Sequence, residues 1–189
     1  MAQDYVERIF DVKADRHCGF QTVAYSLGRG QDAYMEIRGK LHRNLLARKD
    51  FYLNQGFFHK FDNTAKQIQV DNNKPCGIDH WMSMPSTGHI LVEVYNRPVF
   101  YFCHSWIQTF FPSSCGPKDN PLIFSALTGS WHFVALKMKN ESLFPAPQYE
   151  KNWEQIATPE ALKWRDKYSR CFELTNQLKL ETGFWGITF

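Results

Sequence analysis

Asp11-Val12-Lys13-Ala14-Asp15-Arg16-His17-Cys18-Gly19-Phe20-Gln21-Thr22-Val23-Ala24 is the stretch on which the reading of this chain turns. The segment Glu7–Ala14 (ERIFDVKA) reads as a short strand that runs into a polar loop, Asp15-Arg16-His17. From Cys18 onward the apolar residues Phe20, Val23, Ala24 and Leu27 recur at i, i+3, i+4 and i+7, the spacing of one helix face, and Gly28 is a natural stop. Cys18 therefore stands at a predicted helix N-terminus, where free backbone N–H groups and the helix dipole favour the thiolate. A cysteine beside Gly19 and Phe20 is equally well read as a small core residue. The stretch alone leaves both readings open.

Outward from this point the chain divides into helices, then a sheet, then a helical tail. A second helix is predicted over Asp32–Lys49, with Tyr34, Ile37, Leu41 and Leu45 inward. Phe57, Phe58 and Phe61 suggest a short helix, and Asp71-Asn72-Asn73-Lys74-Pro75 a surface loop. Ser86 or Thr87 is placed to cap a helix carrying Ile90, Leu91, Val94 and Tyr95 and ended by Asn96. Four apolar runs follow, Pro98–Cys103, Trp106–Phe111, Leu122–Leu127 and Trp131–Met138, the last two joined by the turn Thr128-Gly129-Ser130. Between residues 98 and 136 the only charges are Lys118 and Asp119, so this stretch is predicted to be a buried sheet. Pro145-Ala146-Pro147 looks like a linker, and Thr158-Pro159-Glu160 is a strong helix start leading into a stripe that runs from Ala161 to Leu178 and stops at Gly183. The apolar ending Phe184–Phe189 is expected to dock on the body or on a partner. The pattern is α+β: a small central sheet flanked by helices, with a body over residues 1–144 and a helical extension over 145–189 packed on it.

Composition narrows the function classes. The 189 residues carry 22 Lys+Arg against 19 Asp+Glu, and the surplus of three is spread along the chain with no basic stripe, so nucleic acid is not an expected partner. The longest uncharged stretch, Pro98–Pro117, is broken by polar residues and prolines and does not read as a membrane span. The aromatic residues of that stretch are not interleaved with basic ones and read as core. Five cysteines (Cys18, Cys76, Cys103, Cys115 and Cys171) at irregular spacing, behind a start with no apolar signal segment, point to a reducing, intracellular setting. Cys76 with His80, Cys103 with His104, and Cys115 repeat no zinc-finger spacing, and no metal is expected.

Cys18 gains meaning beside His132, which opens the last apolar run 114 residues later, where a fold could bring it to the thiol. A phosphatase loop needs an Arg six residues after the cysteine, and Ala24 stands there. The papain pattern C-G-[SA]-C-[WY] is also absent.

The stretch Asp11–Ala24 resembles the nucleophile motif of the ovarian-tumour (OTU) family of cysteine proteases, D-G-x-C with Phe two residues after the Cys. The region from Trp81 to Phe102 is similar to that family's Trp-initiated helix and following strand, and Trp131-His132-Phe133 resembles its closing strand. The likeness covers roughly residues 7–138 in the right order and looks closest to divergent sequences associated with mobile elements. It implies the papain-like OTU fold and a thiol hydrolase acting after the C-terminus of ubiquitin or a ubiquitin-like protein, without cofactor. Cys18 would be the nucleophile and His132 the general base, and the loop Asp15, Arg16, His17 and Cys18 would offer N–H groups to the oxyanion. Two departures stand out. Arg16 replaces the usual Gly, and Val134 occupies the position two residues after the His where many members carry the Asp or Asn that orients the ring. Asp15, Asp11, Asp119 and Asn120 are the substitutes, with Asp15 favoured. The alternatives are an inactive ubiquitin-binding module with the same fold, a protease acting on another protein, and a cysteine acyltransferase.

Overall fold

In the computed structural model residues 2–57, 60–71 and 74–182 are described. Phe58, Asn72, Asn73, Gly183 and the ending Phe184–Phe189 lie outside them. Five strands form one sheet: β1 (Val6–Asp11), β2 (Val99–Cys103), β3 (Gln108–Phe110), β4 (Ile123–Leu127) and β5 (Phe133–Met138). Their order is β1-β5-β4-β2-β3, with β2 and β4 parallel and the other pairs antiparallel. This is the expected α+β arrangement, a central sheet with helices on both faces.

Period-two alternation divides the apolar residues of the inner strands between two cores. Val99, Tyr101, Ile123 and Phe133 face a core built with α1 (Cys18–Ser26), α2 (Tyr34–Ala47) and α5 (Met84–Tyr95), where Phe20, Ile37, Leu41, Ile90 and Leu91 are wholly or almost wholly buried. Phe100, Phe102, Phe124, Ala126, Val134 and Leu136 face the other core, closed by α7 (Pro159–Lys167) and α8 (Ser169–Thr182) with Trp164, Tyr168 and Phe172. Short helices α3 (Lys49–Tyr52), α4 (Phe61–Ile68) and α6 (Trp153–Ile156) complete the layers.

Several elements depart from the sequence expectations for local reasons. The first strand stops at Asp11, three residues short of Ala14. Helix α5 starts two residues before Ser86, with Ser83 preceding it and Pro85 in its first turn, where the missing N–H costs nothing; Asn96 ends it in the left-handed conformation at φ 51°. Thr158 caps α7 as expected, its side chain accepting from the Ala161 N–H. The continuous tail helix is broken at Tyr168 into α7 and α8. The Pro145–Pro147 segment is buried rather than an exposed linker: Thr109 donates through its hydroxyl to the Pro147 carbonyl (2.5 Å), and Thr175 through its hydroxyl to the Ala146 carbonyl (2.6 Å).

Candidate active site

The strand-loop-helix unit at the start of the chain sets the nucleophile. β1 ends at Asp11, a loop follows, and Cys18 opens α1 with its side chain partly buried. The Cys18 thiol accepts the backbone N–H of Phe133 at 3.5 Å. That contact ties the start of α1 to the start of β5, although the residues lie 115 positions apart, and His132, the residue before Phe133, borders the same cavity as Cys18. Burial pushes the Cys18 thiol above the usual cysteine range, opposed by the N–H groups of Phe133 and Gly19, while the nearby Asp15 carboxylate raises it further. Burial thus favours the neutral thiol over the thiolate.

His132 is the last residue of a tight turn and not the first of the strand. The Thr128 N–H donates to the His132 carbonyl (2.9 Å), the Trp131 N–H to the Thr128 carbonyl (3.0 Å), and the His132 N–H to the Thr128 hydroxyl (3.3 Å). Trp131 closes this turn at φ 61°, a left-handed conformation that a bulky residue rarely adopts, and its indole is 71% exposed.

The group on the imidazole is Asp11. His132 Nε2 lies 2.7 Å from Asp11 Oδ1; the imidazole is 18% exposed and the carboxylate 81%. The sheet register explains the pairing. Asp11 stands directly across from Val134, the residue two places after His132. A diagonal cross-strand neighbour lies within reach of a long or aromatic side chain, so β1 supplies the carboxylate that Val134 cannot.

Asp15 has a different place. Its carboxylate accepts both bonds from Gln21 Nε2 (2.9 and 2.8 Å) and one from the His17 N–H (3.1 Å). The favoured substitute thus binds the loop and not the imidazole. The His17 N–H, expected among the oxyanion donors, is already engaged. Arg16 takes φ 72°, the conformation for which Gly is the ordinary residue, without being Gly.

Behind the loop lies a polar cluster that the sequence pattern did not signal. His17 is buried, stacked on Tyr34, with Nε2 2.9 Å from the Lys74 carbonyl and Nδ1 3.2 Å from Arg38 Nη2. The carbonyl can only accept, so the ring proton sits on Nε2 and Nδ1 accepts from Arg38. Arg38 also donates to the carbonyls of Gln67, Ile68 and His80 and lies over the Phe20 ring. Its burial lowers its pKa to about 10. A helix-face reading that counts only apolar residues passes over such a side chain.

Two cavities meet at the thiol. One, of about 710 Å³, is bordered by Asp11, Ala14, Thr128 and His132; the other, of about 560 Å³, by Met82, Met84, Tyr101, Leu127 and Phe133. Arg16, Cys18, Trp81 and Trp131 border both, so Cys18 stands between the two cavities. Among the described residues no three His, Cys, Asp or Glu side chains converge as metal ligands, and no helix is long and apolar enough to cross a membrane.

No protein-family model matches the chain, and no curated protein matches it in sequence. Solved structures do match. The viral OTU domain protease of Dera Ghazi Khan virus is 12% identical over 74% of this chain and 85% of its own, with a TM-score of 0.54. The OTU domain of OTUD1 is 14% identical over 68% and 84%, with a TM-score of 0.52. The viral OTU domain protease of Qalyub virus is 12% identical over 72% and 87%, with a TM-score of 0.50. The chain has the fold of the OTU domain proteases.

Proposed function

We propose that this protein is a cysteine-dependent hydrolase that cleaves isopeptide or peptide bonds after the C-terminus of ubiquitin or a ubiquitin-like protein. The observation that carries the reading is the Asp11–His132 pair at 2.7 Å, bordering the same cavity as a thiol that accepts the N–H of the next residue, Phe133. Two of the structural neighbours are viral OTU domain proteases, which supports it.

In the proposed reaction the Nε2–H of His132 donates a hydrogen bond to Asp11, which leaves Nδ1 as the nitrogen that takes a proton from Cys18. The sulfur attacks the carbonyl carbon, an S–C bond forms and the π pair moves onto the oxygen, where N–H groups at the start of α1 receive it. The protonated His132 then gives its proton to the leaving amine as the C–N bond breaks. Water, deprotonated by the same nitrogen, hydrolyses the thioester and frees the thiol. The Asp11 carboxylate fixes the tautomer and balances the transient imidazolium, the work that the residue after next does in an Asp- or Asn-bearing strand.

A ubiquitin C-terminal activity probe is expected to label the wild type and to leave Cys18→Ala unmodified; absence of labelling across pH 6–9 overturns the ubiquitin assignment. Because burial holds the Cys18 thiol above its usual range, its alkylation by iodoacetamide is expected to keep rising on the alkaline side of neutrality. A rate already flat from pH 6 upward would show a preformed thiolate instead.

A further inference from the structure

The loop ahead of Cys18 holds a residue with a Cβ in a conformation that ordinarily selects Gly, and the surroundings must enforce that conformation. Asp15 and Gln21 do so. The Asp15 carboxylate reaches forward over Arg16 to accept the His17 N–H at 3.1 Å, closing a side-chain turn around Arg16. Gln21, wholly buried one turn along α1 from Cys18, then grips the same carboxylate through Nε2 at 2.9 and 2.8 Å. The loop and the helix that carries the thiol are thereby locked to each other through one side-chain amide. From the rear, the His17 ring is held by the Lys74 carbonyl and Arg38, which restrains the loop on that side as well.

We infer that Gln21 is a positioning residue of the site: through Asp15 it holds the Arg16–Cys18 backbone in the shape that leaves the N–H groups at the start of α1 aimed at the developing oxyanion. This rests on the hydrolase reading above. Asp15 then acts on the loop alone, and Asp11 alone serves His132. The polarity of the clasp is specific. Asp15 can only accept, so its buried neighbour donates.

The role has a signature that simple loss of structure lacks. Alkylation by iodoacetamide displaces iodide from a saturated carbon and develops no oxyanion, whereas acyl transfer and hemithioacetal formation with a peptide aldehyde both place an oxygen in the loop. Gln21→Met keeps volume and neutrality but donates nothing. It is expected to lower kcat on a ubiquitin C-terminal coumarin substrate about tenfold or more, with KM little changed, on the scale of a weakened oxyanion donor. Affinity for the peptide aldehyde should fall in parallel, and the alkylation rate should stay within about twofold of wild type. The double variant Asp15→Asn with Gln21→Glu reverses the clasp: the amide introduced at position 15 still accepts from His17 and now donates to the carboxylate introduced at position 21. It is expected to recover most of the lost kcat and aldehyde affinity, while Gln21→Glu alone sets two carboxylates together and does not. Turnover, aldehyde binding and alkylation falling together in Gln21→Met, or no recovery in the reversed pair, overturns the inference, as does a Gln21→Met enzyme with wild-type kcat. If the wild type ignores the ubiquitin substrate but binds the aldehyde at Cys18, the ubiquitin assignment fails and the aldehyde series still decides the role of Gln21. A thiol that reacts with none of the three reagents overturns both.

Discussion

The two faces of the sheet are built from different materials. On the face covered by α7 and α8 the buried groups are mostly rings: Phe100 lies 4.8 Å from Phe144 and 5.2 Å from Phe124, and Phe111 packs against Trp153, Trp164, Tyr168 and Phe172. On the face covered by α1, α2 and α5 the apolar core is threaded by buried polar side chains, His17, Gln21 and Arg38, whose bonds run to the loop ahead of Cys18. Rings supply burial with little directional demand, and a small shift there changes the energy gradually. Directional bonds define positions: a buried donor or acceptor that loses its partner costs its full desolvation. The face away from the thiol stabilises the sheet, and the face beneath it also sets where the thiol stands.

Substitutions can break this contrast. Trp164 is fully buried, and its indole N–H donates to the Cys115 carbonyl at 2.8 Å. Trp164→Ala is expected to cost about 3–5 kcal/mol in urea unfolding, with the alkylation rate of Cys18 in the folded protein unchanged. Loss of thiol reactivity without loss of stability would dissolve the distinction. Arg38→Met is expected to cost roughly 3 kcal/mol, since the carbonyls of Gln67, Ile68 and His80 lose a donor, and also to lower turnover by loosening His17 behind the loop. If only stability changes, the polar cluster is packing and nothing more. Asp11→Ala touches neither core, because the carboxylate is mostly exposed. It should leave the melting temperature in place and lower kcat about 10²-fold, roughly 2.7 kcal/mol, as expected for a group that orients a general base. A normal kcat would show that another group holds the imidazole. The smallest effect is a gain: Arg16→Gly relieves the left-handed residue and should stabilise by about 0.5–1 kcal/mol. A loss there would mean that the Arg16 side chain makes contacts worth more than the strain.

Legibility in the sequence followed the same division. The ring-rich face and its sheet could be read from residues 98–136 because burial on both sides leaves a run nearly free of charge, and the start of α1 could be read from periodicity together with a polar loop. What escaped was pairwise. That Asp11 meets His132 depends on the register of β1 against β5, which places Asp11 opposite Val134, and no property of either segment alone encodes it. Asp15 is nearer to Cys18 along the chain, and proximity in sequence misled. Arg38 carries no sequence signal, since a long basic side chain on a helix is ordinarily solvated, and it is buried here by the acceptors that converge on it. The break at Tyr168 lies within a stripe whose periodicity continues through it, so the pattern could not mark the bend.

The exposure of Asp11 has a kinetic meaning. Two unit charges 4 Å apart attract with about 1 kcal/mol in water and about 4 kcal/mol at the effective dielectric near a protein surface. A carboxylate that is 81% exposed therefore does little for an imidazolium while the cleft is wet. In the proposed reaction a protein substrate laid over Asp11 and His132 would displace that water and strengthen their attraction severalfold at the moment the proton must move. In the proposed hydrolase, burial would hold the uncovered thiol back from stray electrophiles, and covering the Asp11–His132 pair would strengthen the base that activates it.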